Sequence, residues 1–132
     1  MASARDLMTP SPHTIGASQT VAEASRRMRQ AHVRHLPVLE GAHVVGMLSE
    51  RDARLVDSVA GEKTCLVSDV MTPEPYVVQA GADLKEIVET MAERKLGSAI
   101  VVDGAKVVGI FTTTDALHLL LRHLVIDELR GI

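Results

Sequence analysis

Two heptapeptides carry the side chains best suited to chemistry. Gly46-Met47-Leu48-Ser49-Glu50-Arg51-Asp52 and Gly109-Ile110-Phe111-Thr112-Thr113-Thr114-Asp115 share one pattern: glycine, two apolar residues, a hydroxyl, two variable positions, then aspartate. The glycine permits close approach of another backbone to a strand. The hydroxyl stands where strand gives way to helix. Its oxygen and the free N–H groups of the first helical turn then point outward together, an arrangement suited to a phosphate. The aspartate lies about one turn further on. There its carboxylate can accept hydrogen bonds from two adjacent hydroxyls, such as those of a ribose ring. The same Ser/Thr-x-x-Asp spacing also forms a capping box, in which both side chains serve only the helix. The spacing leaves both readings open.

The elements that must position these residues are written twice. Asp6–Ala53 overlays Asp69–Ala116 at a constant offset of 63 residues, with 16 identities among 48 pairs. Met8-Thr9-Pro10 meets Met71-Thr72-Pro73, and their prolines favour extended chain over helix. An amphipathic helix follows in each copy. Val21, Ala24, Met28 and Ala31 form one stripe behind a Thr20 cap; Leu84, Ile87, Val88, Met91 and Ala92 form the other behind Asp83. Leu36–Leu39 and His43–Leu48 then read as a hairpin turned at Glu40-Gly41. Ala99–Val102 and Lys106–Phe111 repeat it at Asp103-Gly104. Helices at about Glu50–Val59 and Thr113–Leu124 close the copies. The expected fold is α/β (α+β): two repeats of strand-helix-strand-strand-helix, packed through their sheets with pseudo-two-fold symmetry. The boundaries read as 1–60, a linker at 61–68, 69–126 and a tail at 127–132. Units of about 60 residues bury little of their surface, so the halves are expected to share a core.

Composition removes several classes of function. Hydrophobic residues make up 46% of the chain with one Tyr, one Phe and no Trp, so the core must be aliphatic. Eight basic and seven acidic side chains lie in residues 1–63, and six and ten in 64–132. Neither half has the basic excess of a nucleic-acid-binding domain. Arg26, Arg27, Arg29 and Arg34 read as a solvated helix face. Cys65 is the single cysteine, which excludes an intramolecular disulfide and a cysteine metal cluster. No apolar run reaches the length of a membrane span or a signal-peptide core, so a soluble, cytoplasmic protein is expected. His13, His32, His35 and His43 show no metal-binding spacing and read as surface residues; no metal is expected. No Gly-x-Gly-x-x-Gly, nucleophile elbow or Cys–His pair is present, so catalysis is not expected.

The repeated Met-Thr-Pro opening, the His35-Leu36-Pro37-Val38 strand and the Gly-x-x-Ser/Thr-x-x-Asp ending, in this order twice over, resemble cystathionine β-synthase (CBS) domains. The resemblance runs from about Leu7 to Leu124, and a tandem pair of this kind is a Bateman module. It implies clefts that bind adenosine-containing ligands such as AMP, ADP or ATP as regulatory ligands, with no resident cofactor. By resemblance Asp52 and Asp115 hold ribose hydroxyls, and Ser49 and Thr112 lie near phosphate. Adenine would pack among Pro12, His13, Val33, Arg34, His35 and Pro37, or among Pro75, Tyr76, Leu96, Gly97 and Ser98. The copies differ at Arg34/Gly97, His35/Ser98, Pro37/Ile100 and Arg51/Thr114, so the clefts should be unequal, with Arg34 or Arg51 available to a phosphate. Ile100 in place of proline departs from the pattern in the second copy. The resemblance, with the apolar helix after Thr113, also implies a homodimer whose output passes to an effector protein. The competing expectation is an interaction or dimerisation protein whose aspartates are only caps.

Overall fold

The structure, a computed structural model, describes residues 2–11, 13–59 and 64–131. Fourteen elements follow in order among them: α1 (Ala4–Leu7), β1 (Thr9–Pro10), β2 (Ile15–Gly16), α2 (Val21–Ala31), β3 (His35–Glu40), β4 (His43–Ser49), α3 (Glu50–Val59), α4 (Val67–Val70), β5 (Thr72–Pro73), β6 (Val77–Gln79), α5 (Leu84–Arg94), β7 (Ser98–Asp103), β8 (Lys106–Thr112) and α6 (Thr113–Leu129). The helices and hairpins expected from the sequence are present, with strands one or two residues longer. Thr20 caps α2 by accepting the Glu23 N–H, and Asp83 caps α5 by accepting the Lys85 N–H. Gly41 and Gly104 take φ of 62° and 66° at the hairpin turns, the left-handed conformation that glycine adopts without Cβ strain.

The chain folds as two compact units that do not coincide with the two sequence repeats. One comprises Pro12–Pro75 with Ala105–Val107; the other comprises Met1–Ser11, Tyr76–Gly104 and Val108–Ile132. Each repeat therefore lends its opening segment to the other repeat's unit. In the first-repeat unit the sheet order is β2-β3-β4-β5. β5 arrives from the start of the second repeat and pairs antiparallel with β4, Gly46 against Pro73 and Met47 against Thr72. In the second-repeat unit the order is β1-β8-β7-β6, with Thr9 against Ile110 and Pro10 against Gly109. Backbone bonds fix the same exchange: Ala4 N–H donates to the Ala82 carbonyl at 3.0 Å, and Val67 N–H donates to the Gln19 carbonyl at 2.8 Å.

Glycines make this pairing possible. A Cβ at Gly109 would come within 2.6 Å of Met8 Sδ and 2.8 Å of the Thr9 carbonyl oxygen. One at Gly46 would strike Met71 Sδ and reach 3.0 Å from the Thr72 carbonyl oxygen. The close approach foreseen from the sequence is thus that of the Met-Thr-Pro segment.

Within each unit, buried apolar side chains gather in a cluster of that unit's own residues. The first gathers Ile15, Val21, Met28, Leu36, Leu48 and Val67. The second gathers Ala4, Val78, Ile87, Met91, Val101 and Phe111. Ala4 and Val67, both fully buried, show how each borrowed segment completes a core that about 60 residues would leave thin. One correction concerns the boundaries. The expected linker is shorter at its far end, because Val67 and Ser68 belong to α4. Residues 60–63 lie outside the described residues. The expected tail begins later too, since α6 continues to Leu129.

Candidate functional site

In the first-repeat unit the β3–β4 hairpin sets His35 opposite Ser49, and α3 starts at the next residue. Ser49 Oγ accepts the Asp52 N–H at 3.1 Å, and the Arg34 carbonyl accepts the Glu50 N–H at 2.8 Å. The equivalent turn of the second-repeat unit is tied more completely. Thr112 Oγ1 accepts the Asp115 N–H at 3.2 Å, and Asp115 Oδ2 accepts the Thr112 N–H at 2.9 Å and its hydroxyl at 3.1 Å. The Gly97 carbonyl accepts the Thr113 N–H at 3.1 Å. The Thr9 hydroxyl donates to Asp115 Oδ1 at 3.1 Å, so both carboxylate oxygens of Asp115 are engaged. No such bond reaches the Asp52 carboxylate among the described residues.

This geometry corrects the expectation that the first-turn N–H groups stand free. The first and third donors are already taken in both copies, which leaves the N–H of Arg51 and of Thr114 in that turn. The copies are also unequal in a way that residue types did not reveal: one aspartate closes a capping box and the other keeps its carboxylate open.

At the start of α3, next to Asp52 in the chain, lies a surface cleft of about 330 Å³ lined by Arg34, His35, Ser49, Glu50, Arg51 and Arg54. An adjoining cleft of about 540 Å³ shares Arg34, Glu50 and Arg54 and adds Arg29 and His32. Arg54 pairs with Glu50 one turn away. His35 is not the surface histidine expected; it is half-buried. Burial pushes its imidazole pKa down, Asp52 opposes that shift, and Arg34 adds to it. The Asp52 carboxylate is therefore within electrostatic reach of the His35 ring.

The other expected site residues distribute as follows. Pro37 is buried in β3 opposite Met47, and Val33 packs on the first core. Arg34 and Arg51 are exposed. His13 lines a different cleft, with Arg26 and Arg27, and not the one at Ser49. Pro12 lies outside the described residues. Pro75 is half-buried and falls in the first-repeat unit. Tyr76 and Leu96 pack on the second core, with the Arg94 guanidinium 6.0 Å from the Tyr76 ring centre. Ser98 opens β7, and exposed Gly97 precedes it. The fold thus gathers Arg34, His35, Ser49 and Arg51 at one cleft beside Asp52, and Gly97, Thr112 and Asp115 at the start of α6.

Sequence reasoning missed Arg54, Glu50 and Thr9. Arg54 follows Arg51 at helical spacing, a signal that was available. Thr9 meets Asp115 across 106 residues, and no local pattern announces that contact. Among the described residues no group of three or more His, Cys, Asp or Glu side chains is placed to hold a metal ion. Nor is any helix among them long and apolar enough to cross a membrane.

The fold and its paired turns define a tandem α+β module of two similar units. The CBS domain family matches residues 4–57 and 67–122, and the chain belongs to that family. It is 32% identical over 116 residues to the CBS domain-containing protein YhcV of Bacillus subtilis (strain 168), covering 87% of this chain and 83% of that one. The AcuB protein of Vibrio cholerae superposes with a TM-score of 0.72 at 30% identity, over 97% of this chain and 96% of that one. CBSX2, solved in complex with AMP, superposes with a TM-score of 0.69 at 27% identity, over 92% and 98%.

Proposed function

We propose that this chain is a regulatory sensor whose first-repeat unit binds an adenosine-containing nucleotide of the AMP, ADP or ATP class. One observation carries the reading. The Asp52 carboxylate has no hydrogen-bond partner among the described residues, and the residues just before it, Ser49 and Arg51, line a cleft together with Arg34. An open carboxylate suits a ribose diol, and a hydroxyl with guanidinium groups suits phosphate. Val33 and His35, which line the adjoining clefts, are the residues proposed for adenine, with Pro12, His13 and Pro37 proposed on the family resemblance alone. The AMP complex of the similar CBSX2 supports this ligand class. Thr112, Asp115, Gly97, Ser98, Leu96 and Tyr76 form the second, weaker site, because Thr9 and Thr112 already occupy three of the acceptor positions of Asp115.

Binding would act by shifting the population of conformations, which requires unequal affinity for them, and an effector protein would read the change. The protein works in the cytoplasm as a homodimer, without a resident cofactor and without chemistry of its own. The test is thermal melting with adenosine, AMP, ADP and ATP. A ligand at about 100 times its Kd stabilises by about 2.7 kcal/mol, a rise of several degrees in Tm. Asp52→Ala should abolish that rise. No shift with any of the four at millimolar concentration would overturn the proposal.

A second reading has its own observation. The complete capping box at Thr112 and Asp115 is what an interaction protein with purely structural aspartates would show. In that case nucleotides leave Tm unchanged, and both aspartate variants lose stability equally with and without them.

A further inference from the structure

The four arginines at the two adjoining clefts are Arg29, Arg34, Arg51 and Arg54. At the offset of 63 residues their counterparts are Ala92, Gly97, Thr114 and Leu117. An uncharged group thus stands in place of every guanidinium in the second copy, while the hydroxyl and the aspartate are kept. Helix capping needs none of the four. Arg34 and Arg54 line both clefts, with Arg51 in the smaller one beside Ser49 and Arg29 in the larger one. Glu50 is the carboxylate that lines both, and Arg54 pairs with it. Arg29, Arg34 and Arg51 have no ion pair among the described residues. A single phosphate in the cleft at Ser49 would leave Arg29 unused, because Arg29 lines only the adjoining cleft.

We propose that the first-repeat cleft selects ligands carrying a chain of two or more phosphates, with Arg34 and Arg54 holding the phosphates beyond the first as the chain passes toward Arg29. Arg54 is the specificity-determining residue. Its guanidinium exchanges the Glu50 carboxylate for phosphate oxygens, a fork geometry that it meets equally well. This rests on the nucleotide reading above and adds the number of phosphates to it.

The test is calorimetric titration of the full chain with adenosine, AMP, ADP, ATP and inorganic tripolyphosphate. One charge-assisted hydrogen bond more or less corresponds to about ten-fold in Kd. ADP and ATP should bind at least about ten-fold more tightly than AMP. Arg54→Gln should erase that gap, abolish tripolyphosphate binding and leave adenosine affinity unchanged. Arg54 is largely exposed and its ion pair is an i,i+4 surface contact, so the variant should fold normally. Glu50→Gln, which frees Arg54, should keep or tighten ATP binding. AMP binding as tightly as ATP, or Arg54→Gln weakening all ligands including adenosine alike, would overturn the proposal. The two layers separate cleanly. Arg54-dependent binding of tripolyphosphate with no binding of adenosine or AMP would sink the nucleotide reading and keep the anion selection. Asp52-dependent binding indifferent to phosphate number would do the reverse.

Discussion

Two aspartates at equivalent positions do different work. Asp115 receives three hydrogen bonds on its carboxylate, from the Thr112 N–H, the Thr112 hydroxyl and the Thr9 hydroxyl. Asp115→Ala should therefore destabilise the protein by about 1–2 kcal/mol, the usual cost of losing a cap and a further side-chain bond. Asp52→Ala removes no such bond and should cost well under about 1 kcal/mol. Chemical denaturation of the two variants checks the difference; equal losses would show that both are simply caps. The other residue-scale consequence concerns His35. Its folded pKa lies below the usual 6.5 because burial disfavours the imidazolium. The unfolded chain then binds the extra proton between the two values, so stability rises with pH across that window. The stabilisation is complete above pH 6.5 and is lost as pH falls through the folded value. Melting temperature should drop on acidification below that point, and His35→Gln should flatten this part of the profile. Glu23, whose ion pairs with Arg26 and Arg27 hold it at about 2, acts in a separate, more acidic window between that value and 4.5. The Ser/Thr-x-x-Asp pattern was plain in the sequence, but its two outcomes were not. Thr9 and Thr72 are identical in the two copies, and among the described residues only Thr9 is bonded to the aspartate.

At the scale of elements, hairpins and helices follow from local pattern, and the exchange of opening segments does not. Alternation, caps and turn glycines act over a few residues, so α2, α5 and both hairpins were legible. β1 and β5 are two residues each and are held by partners far along the chain. Because Met-Thr-Pro is the same in both copies, the alignment is silent about which copy each one pairs with. Gly46 and Gly109, whose missing Cβ atoms admit the segment, show only that something approaches closely at each strand. Gly46→Ala and Gly109→Ala should each destabilise by about 1–3 kcal/mol, as overpacking does. Gly81→Ala, where a Cβ would meet nothing within 4 Å, should leave Tm close to that of the wild type. Equal behaviour of all three would show that the close approach is not needed.

For the whole molecule, the far half of α6 has no partner within the described residues that would cover it. Ala116 and Leu119 pack on the second core, while Leu117, Leu120, Leu121 and Leu124 are exposed, at 62%, 52%, 57% and 52%. A helix apolar on its outer face is one that another surface covers, and a second copy of the chain is the occupant proposed here. Leu121→Glu with Leu124→Glu should convert a dimer to a monomer by light scattering; an unchanged mass would remove this face from the interface. The sequence hinted at this face through its leucines, yet the helix runs past the expected end near Leu124 to Leu129, where Gly131 takes φ of 75° and donates its N–H to the Glu128 carbonyl at 3.1 Å. In the proposed division of labour one repeat senses a nucleotide and the other is closed by its own cap. Titration calorimetry of the wild type and of Asp52→Ala with ADP decides between that division and two equal sites. The expected result is tight binding of one ligand per chain, lost in Asp52→Ala. Two equivalent ligands per chain, or full binding by Asp52→Ala, would contradict it.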